Sequence, residues 1–319
     1  MRYRTLGATG LRVSEVGFGT WGLGGAANGA VAYGPTQDAQ SIAALHAARE
    51  LGISFFDAAD FYGFGHSEEV LAAAFGAVRG EVIIASKGGM LADGSQDFSP
   101  RHLRAALDSS LRRLRTDYVD LYQLHSPSLE AMRSDELRRE LERFRAEGKV
   151  RAFGISARSP EDALVAVSEL GFKCVQANFS LVDQRALECD LFEACRLARA
   201  AVIARTPLCF GFLTGRYSAA TAFDPHDHRN RWSPEQRERW AAALGLFVTA
   251  LADRPGETPA QFALRFCLSY PEVASVIPGM LTPAQVQENA AASDLGPLAP
   301  GEIAQIAAVY RQHSFFVGA

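Results

Sequence analysis

Four polar side chains of catalytic type stand where predicted strands end. Asp57 follows the apolar residues of "SFFDAADFYG", and Tyr62 lies on the loop beyond that strand. Lys87 ends the run "EVIIASK", and His125 ends "DYVDLYQLH". The carboxyl ends of neighbouring parallel strands lie about 4.8 Å apart at one edge of a sheet. We therefore expect these four side chains to converge on one face.

Together these residue types can protonate a substrate oxygen. A lone tyrosine has a pKa of about 10, but a lysine ammonium beside a phenol oxygen stabilises the phenolate and lowers that pKa. Asp57 would hold Lys87 charged and oriented, leaving Tyr62 to donate the proton. His125 would bind the carbonyl oxygen of the substrate. A positioned acid contributes roughly 10²–10⁴ in rate, and the hydride of a reduction requires a cofactor.

Each of these residues also has a structural interpretation. Taken singly, Asp57 fits a turn or cap, Tyr62 a rim aromatic and His125 a core histidine. Lys87 is harder to explain in this way, because it follows the apolar run "VIIA" in a chain with three lysines among 32 basic residues. Four such residues at the ends of three consecutive strands favour the catalytic interpretation.

Short β-rich runs alternate with helical segments along most of the chain. Eight apolar runs extend from "VSEVGFGT" to "VASVIPG", and the segments between them have a helical period. Helices are expected near residues 38–51, 67–79, 100–115, 135–147, 160–170 and 185–200. N-caps followed by proline are predicted at Ser99, Ser159, Ser233 and Thr282.

Eight βα repeats over about 280 residues predict an α/β fold of the closed (β/α)8 type rather than a doubly wound open sheet. Residues 209–258 are too long for a simple turn and are expected to hold a loop, a helix over about 234–252 and another after Thr258. Because no linker rich in Pro, Gly or Ser is present, residues 1–319 are expected to form a single domain.

The composition limits which binding partners and which cellular compartment are expected for this protein. A net charge of −4 gives no electrostatic footprint for nucleic acid or an anionic membrane surface. The chain has no apolar run of about 18 residues that could span a bilayer, and its polar start lacks the apolar stretch of a signal peptide. Five cysteines, an odd number with no CxxC pair, fit a reducing cytoplasm.

Two further motifs have weaker functional interpretations. "GFGTWG" matches the dinucleotide fingerprint GxGxxG, but no helix opens directly from it. "DPHDHRNRW" offers His226, Asp227 and His228 as metal ligands, yet alternate positions on a loop lack a third partner. We predict no metal site, and we expect this loop to fold over a cofactor.

The sequence resembles the aldo-keto reductases. The matching motifs occur in family order and cover nearly the whole chain: "RTLGATGLRVSEVGFGTWGLGG", "FFDAADFYGFGHSEE", "IIASKGG", "DYVDLYQLH", "VRAFGIS", "VQANFSLVD", "PLCFGFLTGRY" and "SVIPGMLTPAQVQEN". The form "GFLTGRY" suggests the branch that contains bacterial reductases and potassium-channel β-subunits.

This resemblance implies a (β/α)8 TIM barrel with an N-terminal β-hairpin, a long βα7 loop and a nicotinamide cofactor across the top. It assigns Asp57, Tyr62, Lys87 and His125 as a catalytic tetrad, with Tyr62 as the general acid. The cofactor residues that it implies are Thr20, Trp21, Ser156, Gln176, Asn178, Arg205, Leu208, Gly211, Leu213, Thr214, Arg216, Gly279, Gln285, Glu288 and Asn289.

Several positions depart from the family pattern. Ala157 stands where the family often has an asparagine, and Arg205 where an aromatic ring usually stacks on the nicotinamide. No basic residue occurs from Phe266 to Tyr310, although recognition of a ribose 2′-phosphate needs Arg or Lys nearby. NADP(H) is the family default, and NAD(H) stays open unless an arginine of the long loop substitutes: Arg216, Arg229 or Arg231.

Two other functions are compatible with the same barrel. An NAD-dependent sugar dehydrogenase would explain the missing phosphate clamp. A cofactor-sensing regulatory subunit would bind nucleotide with little turnover. The expected substrate is a small carbonyl compound or a sugar, held by Trp21, Phe61, Met90, Leu91 and the loop around Trp232.

Overall fold

The computed structural model describes residues 1–26, 32–248 and 256–318. It begins with an antiparallel hairpin of β1 (Tyr3–Thr5) and β2 (Arg12–Ser14). Eight parallel strands of the described residues then form one sheet: β3 (Phe18–Gly19), β4 (Phe55–Asp57), β5 (Ile83–Gly88), β6 (Val119–His125), β7 (Val150–Ser156), β8 (Cys174–Asn178), β9 (Ala201–Arg205) and β10 (Val273–Val276).

The sheet closes into a barrel between its first and last strands. Parallel bridges join Val16 to Val276 and Gly19 to Gly279. Gly19 is needed for this closure, because a Cβ atom there would lie 2.7 Å from the carbonyl oxygen of Ile277. The predicted (β/α)8 barrel with an N-terminal hairpin is therefore confirmed.

Helices connect the strands, as parallel pairing requires. They are α1 (Asp38–Glu50), α2 (His66–Phe75), α3 (Pro100–Leu114), α4 (Leu129–Met132), α5 (Asp135–Ala146), α6 (Pro160–Ser168), α7 (Arg185–Glu188), α8 (Leu191–Ala198), α9 (Pro234–Val248), α10 (Pro259–Leu268), α11 (Pro283–Leu295) and α12 (Pro300–Gln312).

The predicted N-caps are confirmed. Ser99, Ser159 and Thr282 each accept a backbone N–H three residues ahead, and Ser233 accepts the N–H of Gln236. Each cap satisfies one donor that the first helical turn leaves free. The long βα7 connection contains helix α9, and the predicted residues 249–252 of that helix lie outside the described residues.

Three elements differ from the sequence prediction. The run "VSEVGFGT" is divided between hairpin strand β2 and barrel strand β3. The helix expected over 185–200 is two helices, because Asp190 adopts a left-handed φ of 60° between them. The helix expected over 67–79 ends at Phe75 and continues as a 3₁₀ turn, Gly76–Glu81.

Side chains alternate between the barrel interior and the helical layer. Phe55, Ala85 and Leu121 pack inside the barrel, whereas Phe56 and Tyr122 pack against helices. The hairpin contributes Leu6, Leu11 and Val13 to the interior cluster and so fills the amino-terminal end of the barrel. The carboxyl-terminal end is therefore the end left for a ligand.

Candidate active site

The floor of the site consists of the last inward-facing residues of the barrel strands. On strands β4, β5 and β6 the interior residues are Phe55, Ala85 and Leu121. Because side chains alternate along a strand, the residue two positions later on each strand also points inward. These residues are polar: Asp57, Lys87 and Gln123. The last inward positions of strands β6 to β9 are also polar: His125, Ser156, Gln176, Asn178 and Arg205. Strand periodicity thus creates a polar layer above an apolar interior.

Lys87 joins Asp57 and Tyr62 at the centre of this floor. Its Nζ atom lies 2.5 Å from Asp57 Oδ1 and 3.0 Å from the Tyr62 hydroxyl oxygen. A third bond, of 2.8 Å, goes to the carbonyl oxygen of Ala58. All three donor positions of the ammonium are therefore used, and its orientation towards the phenol is fixed.

Asp57 is held by neutral donors on its other oxygen. Oδ2 accepts bonds from Gln123 Nε2 at 2.9 Å and Gln176 Nε2 at 2.8 Å. Gln123 is a residue of the site that the sequence analysis missed. Strand alternation could have indicated it, because Gln123 is the inward position between Leu121 and His125 on strand β6.

Lys87 remains a cation despite complete burial. Burial alone would lower its pKa, but the Asp57 carboxylate and the Tyr62 hydroxyl raise the pKa of Lys87 above its usual value. A buried pair of this kind is costly to disrupt, because removing either partner leaves an uncompensated charge.

His125 is a neutral imidazole at the edge of the floor. Burial, followed by the charges of Lys87 and Arg205, lowers the pKa of His125 well below its usual value. Its ring lies edge-on to the Tyr62 ring, with 5.8 Å between centroids. Its Nδ1 atom is buried and has no hydrogen-bond partner among the described residues.

The turn that carries Tyr62 depends on close packing of two loops. Gly63 has a φ of 59°, and a Cβ atom there would lie 2.5 Å from the carbonyl oxygen of Gly24. Glycine removes both the steric conflict and the strain of a left-handed backbone. The loop after β4 can therefore rest on the loop after β3 and hold Tyr62 above Lys87.

Arg205 occupies the end of strand β9 on the same floor. It donates to Asn178 Oδ1 at 2.8 Å, to the Ala157 carbonyl oxygen at 2.7 Å and to Ser156 Oγ at 3.2 Å. Thr206, which follows it, has a left-handed φ of 53°, an uncommon conformation for a β-branched residue. The hydroxyl of Thr206 also donates to Asn178 Oδ1, at 3.2 Å.

A cleft of about 500 Å³ extends from this floor along the carboxyl end of the barrel. Most predicted site residues line it: Trp21, Asp57, Tyr62, His125, Gln176, Asn178, Arg205, Leu208, Gly211, Thr214, Arg216, Gly279, Gln285, Glu288 and Asn289. Phe61 and Met90, predicted to contact substrate, also line the cleft, whereas Leu91 and Trp232 are not among its lining residues.

Four predicted residues lie behind the cleft wall. Lys87 acts from below through its bonds to Asp57 and Tyr62. Thr20 bonds to the Asp57 carbonyl oxygen at 3.0 Å and to Ser67 Oγ at 2.5 Å. Leu213 is fully buried in the core, and Ser156 bonds to Gln176.

Aromatic side chains cover one side of the cleft, and most of them were not expected from the sequence. Tyr33, Phe210 and Tyr217 line it together with Arg229. The Arg229 guanidinium lies 4.9 Å from the ring centroid of Tyr33 and 4.6 Å from that of Tyr217. These rings lie on loops without hydrophobic periodicity, so the sequence pattern gave no signal for them.

The predicted metal-like loop residues take separate structural positions. Asp227 pairs with Arg229 through oxygen–nitrogen contacts of 2.5 to 3.1 Å. His228 is buried with Nδ1 3.0 Å from the Ala32 carbonyl oxygen, and its ring packs 4.3 Å from that of Trp21. His226 is exposed. Among the described residues, no three His, Cys, Asp or Glu side chains form a group that could hold a metal ion.

The residues present fit a nicotinamide dinucleotide. The cleft has the size of a cofactor site, and its floor presents the side chains of His125, Gln176 and Asn178. Gly211 and Gly279 leave the wall without side chains, so a ligand can approach the backbone closely there.

Residues 15–311 match the model of the aldo/keto reductase family, and the chain belongs to that family. It is 33% identical over 309 residues to the Bacillus subtilis protein "Uncharacterized oxidoreductase YqkF", covering 95% of this chain and 94% of that protein. It is 32% identical over 302 residues to the L-galactose dehydrogenase of Arabidopsis thaliana, covering 91% of this chain and 87% of that protein.

A solved structure shares the whole architecture. The glycerol dehydrogenase AKR11B4 from Gluconobacter oxydans superposes with a TM-score of 0.80 at 28% identity, covering 99% of this chain and 96% of that chain. The protein is therefore an NAD(P)H-dependent oxidoreductase of the aldo-keto reductase type. Among the described residues, no helix is long and apolar enough to cross a membrane.

Proposed function

We propose that this enzyme interconverts aldehydes or ketones and alcohols, with Tyr62 as the proton donor to the carbonyl oxygen. The observation that carries the proposal is the buried chain from Asp57 through Lys87 to the Tyr62 hydroxyl, with contacts of 2.5 and 3.0 Å. The nicotinamide supplies the hydride when it is bound. Tyr62 and His125 both line the cleft where a carbonyl would lie.

The protein residues divide the remaining work. Lys87 stabilises negative charge on the Tyr62 oxygen as the proton leaves, and Asp57 keeps the ammonium oriented. His125, being neutral, can donate one N–H to the carbonyl oxygen without competing with Tyr62 as an acid. Trp21, Phe61 and Met90 give the substrate an apolar wall that excludes water.

We further propose that the cofactor is NAD(H). No basic residue occurs from Phe266 to Tyr310, the stretch expected to hold the adenosine end. Arg216 pairs with Glu288 at 2.5 Å and Arg229 pairs with Asp227, so these two loop arginines already have carboxylate partners. Glu288 also lines the cleft, where a carboxylate can accept ribose hydroxyls.

Parallel fluorescence titrations with NADH and NADPH test both proposals. We expect NADH to bind at least about tenfold more tightly than NADPH, the size of one missing charge-assisted contact. The purified protein should then oxidise NADH when an aromatic or aliphatic aldehyde is added. Tighter NADPH binding would overturn the NAD(H) assignment alone, whereas binding of neither cofactor would overturn the proposed function.

A second candidate function is the NAD-dependent oxidation of a sugar. The similarity to L-galactose dehydrogenase favours it, as does the polar floor of Gln176 and Asn178. Reduction of NAD⁺ in the presence of pentoses and hexoses, compared with aldehyde reduction, decides between the two. A regulatory subunit would instead bind the cofactor and show almost no turnover with any of these substrates.

A further inference from the structure

Arg205 is a cation on the floor of the cleft without a carboxylate partner. Its guanidinium donates to Asn178, Ser156 and the Ala157 carbonyl, and all three acceptors are uncharged. No carboxylate of the described residues forms an ion pair with it. Burial, the largest influence, lowers the pKa of Arg205, but an arginine keeps its charge in proteins.

The charges of the floor therefore do not cancel. Asp57 and Lys87 form a neutral pair at 2.5 Å, and His125 is uncharged at neutral pH. One positive charge remains, and it belongs to Arg205. Interactions with a charge in such a site are stronger than in water and are less screened by salt.

A nicotinamide ring must lie over this floor if the proposed function holds. Tyr62 protonates the oxygen of the carbonyl group whose carbon takes the hydride, so the ring lies within contact of that carbon. Tyr62, His125 and Arg205 line the same cleft floor. The oxidised ring carries a positive charge and the reduced ring is neutral, so a fixed cation discriminates between them.

We propose that Arg205 favours the reduced cofactor over the oxidised cofactor in the bound state. This inference rests on the proposed function, and it assigns to Arg205 an effect on the cofactor that is separate from proton transfer. Repulsion of the cationic ring raises the dissociation constant of the oxidised form. The dissociation constant of the reduced form, whose nicotinamide ring is uncharged, is left nearly unchanged.

A purely structural role for Arg205 predicts a different result. The side chain braces Asn178 and Ser156 through hydrogen bonds, and loss of a brace would loosen the floor for any ligand. Both redox forms would then bind more weakly by similar factors. The ratio of the two dissociation constants separates an effect of charge from an effect of packing.

The test is calorimetric titration of the wild type and three variants with NAD⁺ and NADH. Arg205→Gln and Arg205→Met remove the charge, and Arg205→Lys keeps it. We expect the ratio of the NAD⁺ to the NADH dissociation constant to fall about tenfold or more in the neutral variants, the size of one partly buried charge interaction. In Arg205→Lys the ratio should stay within about threefold of the wild type.

Further measurements keep the outcomes separate. Arg196→Gln, which removes an arginine from the outer surface of helix α8, should leave both constants unchanged. Equal weakening of both forms in the neutral variants overturns the inference, as does a wild type that binds NAD⁺ more tightly than NADH. A wild type that binds neither NAD(H) nor NADP(H) overturns the proposed function itself. If the wild type binds only NADP(H), the same ratio is measured with NADP⁺ and NADPH in place of NAD⁺ and NADH.

Discussion

Two aspartates three residues apart show how the local environment sets the role of a carboxyl group. Asp57 is surrounded by donors: Lys87, Gln123 and Gln176. Asp60 has a buried Oδ1 atom without a hydrogen-bond partner among the described residues. Burial, followed by repulsion from Glu68, raises the pKa of Asp60 to about 7. Asp57 therefore lies in an ion pair with Lys87, whereas Asp60 is costly to ionise.

The raised pKa of Asp60 makes a prediction about stability. The folded protein keeps this proton up to about pH 7, whereas the unfolded chain loses it near its ordinary pKa of 3.8. Stability contributed by this group therefore falls as pH rises between these values. In urea unfolding, Asp60→Asn should gain on the order of 1–3 kcal/mol relative to the wild type between pH 5 and pH 8.

The experiment compares the free energies of unfolding of Asp60→Asn and the wild type at each pH. This comparison is needed because Glu68 and Arg113 also face Asp60 and other carboxyls titrate over the same range. Subtracting the wild-type curve removes groups that the variant leaves unchanged. A difference in the free energy of unfolding that stays constant from pH 5 to pH 8 would contradict the assignment.

At the scale of elements, a segment of the βα7 connection closes the side of the cleft. We call residues 224–232 the βα7 strap. The backbone N–H and the Nδ1 atom of His228 lie 2.8 and 3.0 Å from the Ala32 carbonyl oxygen. Arg229 is buried between aromatic rings and paired with Asp227. The strap is thus attached to the loop after β3, and its residue Arg229 lines the cleft.

Breaking the Asp227–Arg229 pair should open the strap. Arg229→Gln leaves the Asp227 carboxylate buried without its partner, a loss of about 3–5 kcal/mol for a buried pair. We expect the strap to detach while the barrel stays folded, so that cofactor affinity falls about tenfold or more and trypsin cleaves faster after Arg231, the arginine of the strap that the variant keeps. Cofactor titration and limited proteolysis measure the two effects.

The matched control lies on the same strap. His226 is exposed and bonds only to Asp224 in the described part of the chain, so His226→Gln should change neither cofactor affinity nor the cleavage rate. If Arg229→Gln behaved like His226→Gln, the strap would have no part in holding the cofactor.

The elements also show what could be predicted from the sequence. Strand alternation and N-caps are local patterns, so the barrel, its helices and the inward positions of Asp57, Lys87 and His125 could be predicted. The bond from Gln123 to Asp57 depends on the register of strands 66 residues apart, which no local pattern encodes. Tyr33 and Tyr217 reach the cleft through loop conformations, and neither position has a periodic signal.

At the scale of the molecule, the two ends of the barrel have different tasks. The carboxyl end bears the cleft, as in other barrels of this class. At the amino end, Glu15 accepts bonds from Arg2, Arg4 and Ser293, and Arg4 also donates to carbonyl oxygens near strand β10. These contacts attach the hairpin to the barrel.

Loss of the Glu15 carboxylate should reduce stability and spare the site. Glu15→Gln removes the charge between two arginines that are partly exposed, so we expect a loss of about 1–3 kcal/mol in urea unfolding. Cofactor dissociation constants should stay within about twofold of the wild type. Glu193→Gln, at an exposed ion pair on α8, is the control and should cost under about 0.5 kcal/mol.

Two outcomes would contradict the prediction for Glu15→Gln. A Glu15→Gln variant as stable as the wild type would mean that the hairpin contacts contribute little. A large change in cofactor affinity at unchanged stability would mean that the two ends of the barrel are coupled.

The most direct test of the central claim is the rate of carbonyl reduction by Tyr62→Phe. The change removes one hydroxyl oxygen, which lies 3.0 Å from Lys87 Nζ, and leaves the ring in place. We predict that kcat/KM falls by roughly 10²–10⁴, while the cofactor dissociation constant and the melting temperature stay near those of the wild type. Tyr118→Phe, before strand β6, should behave like the wild type. A Tyr62→Phe enzyme that retains kcat/KM within about threefold of the wild type would contradict the assignment of Tyr62 as the proton donor.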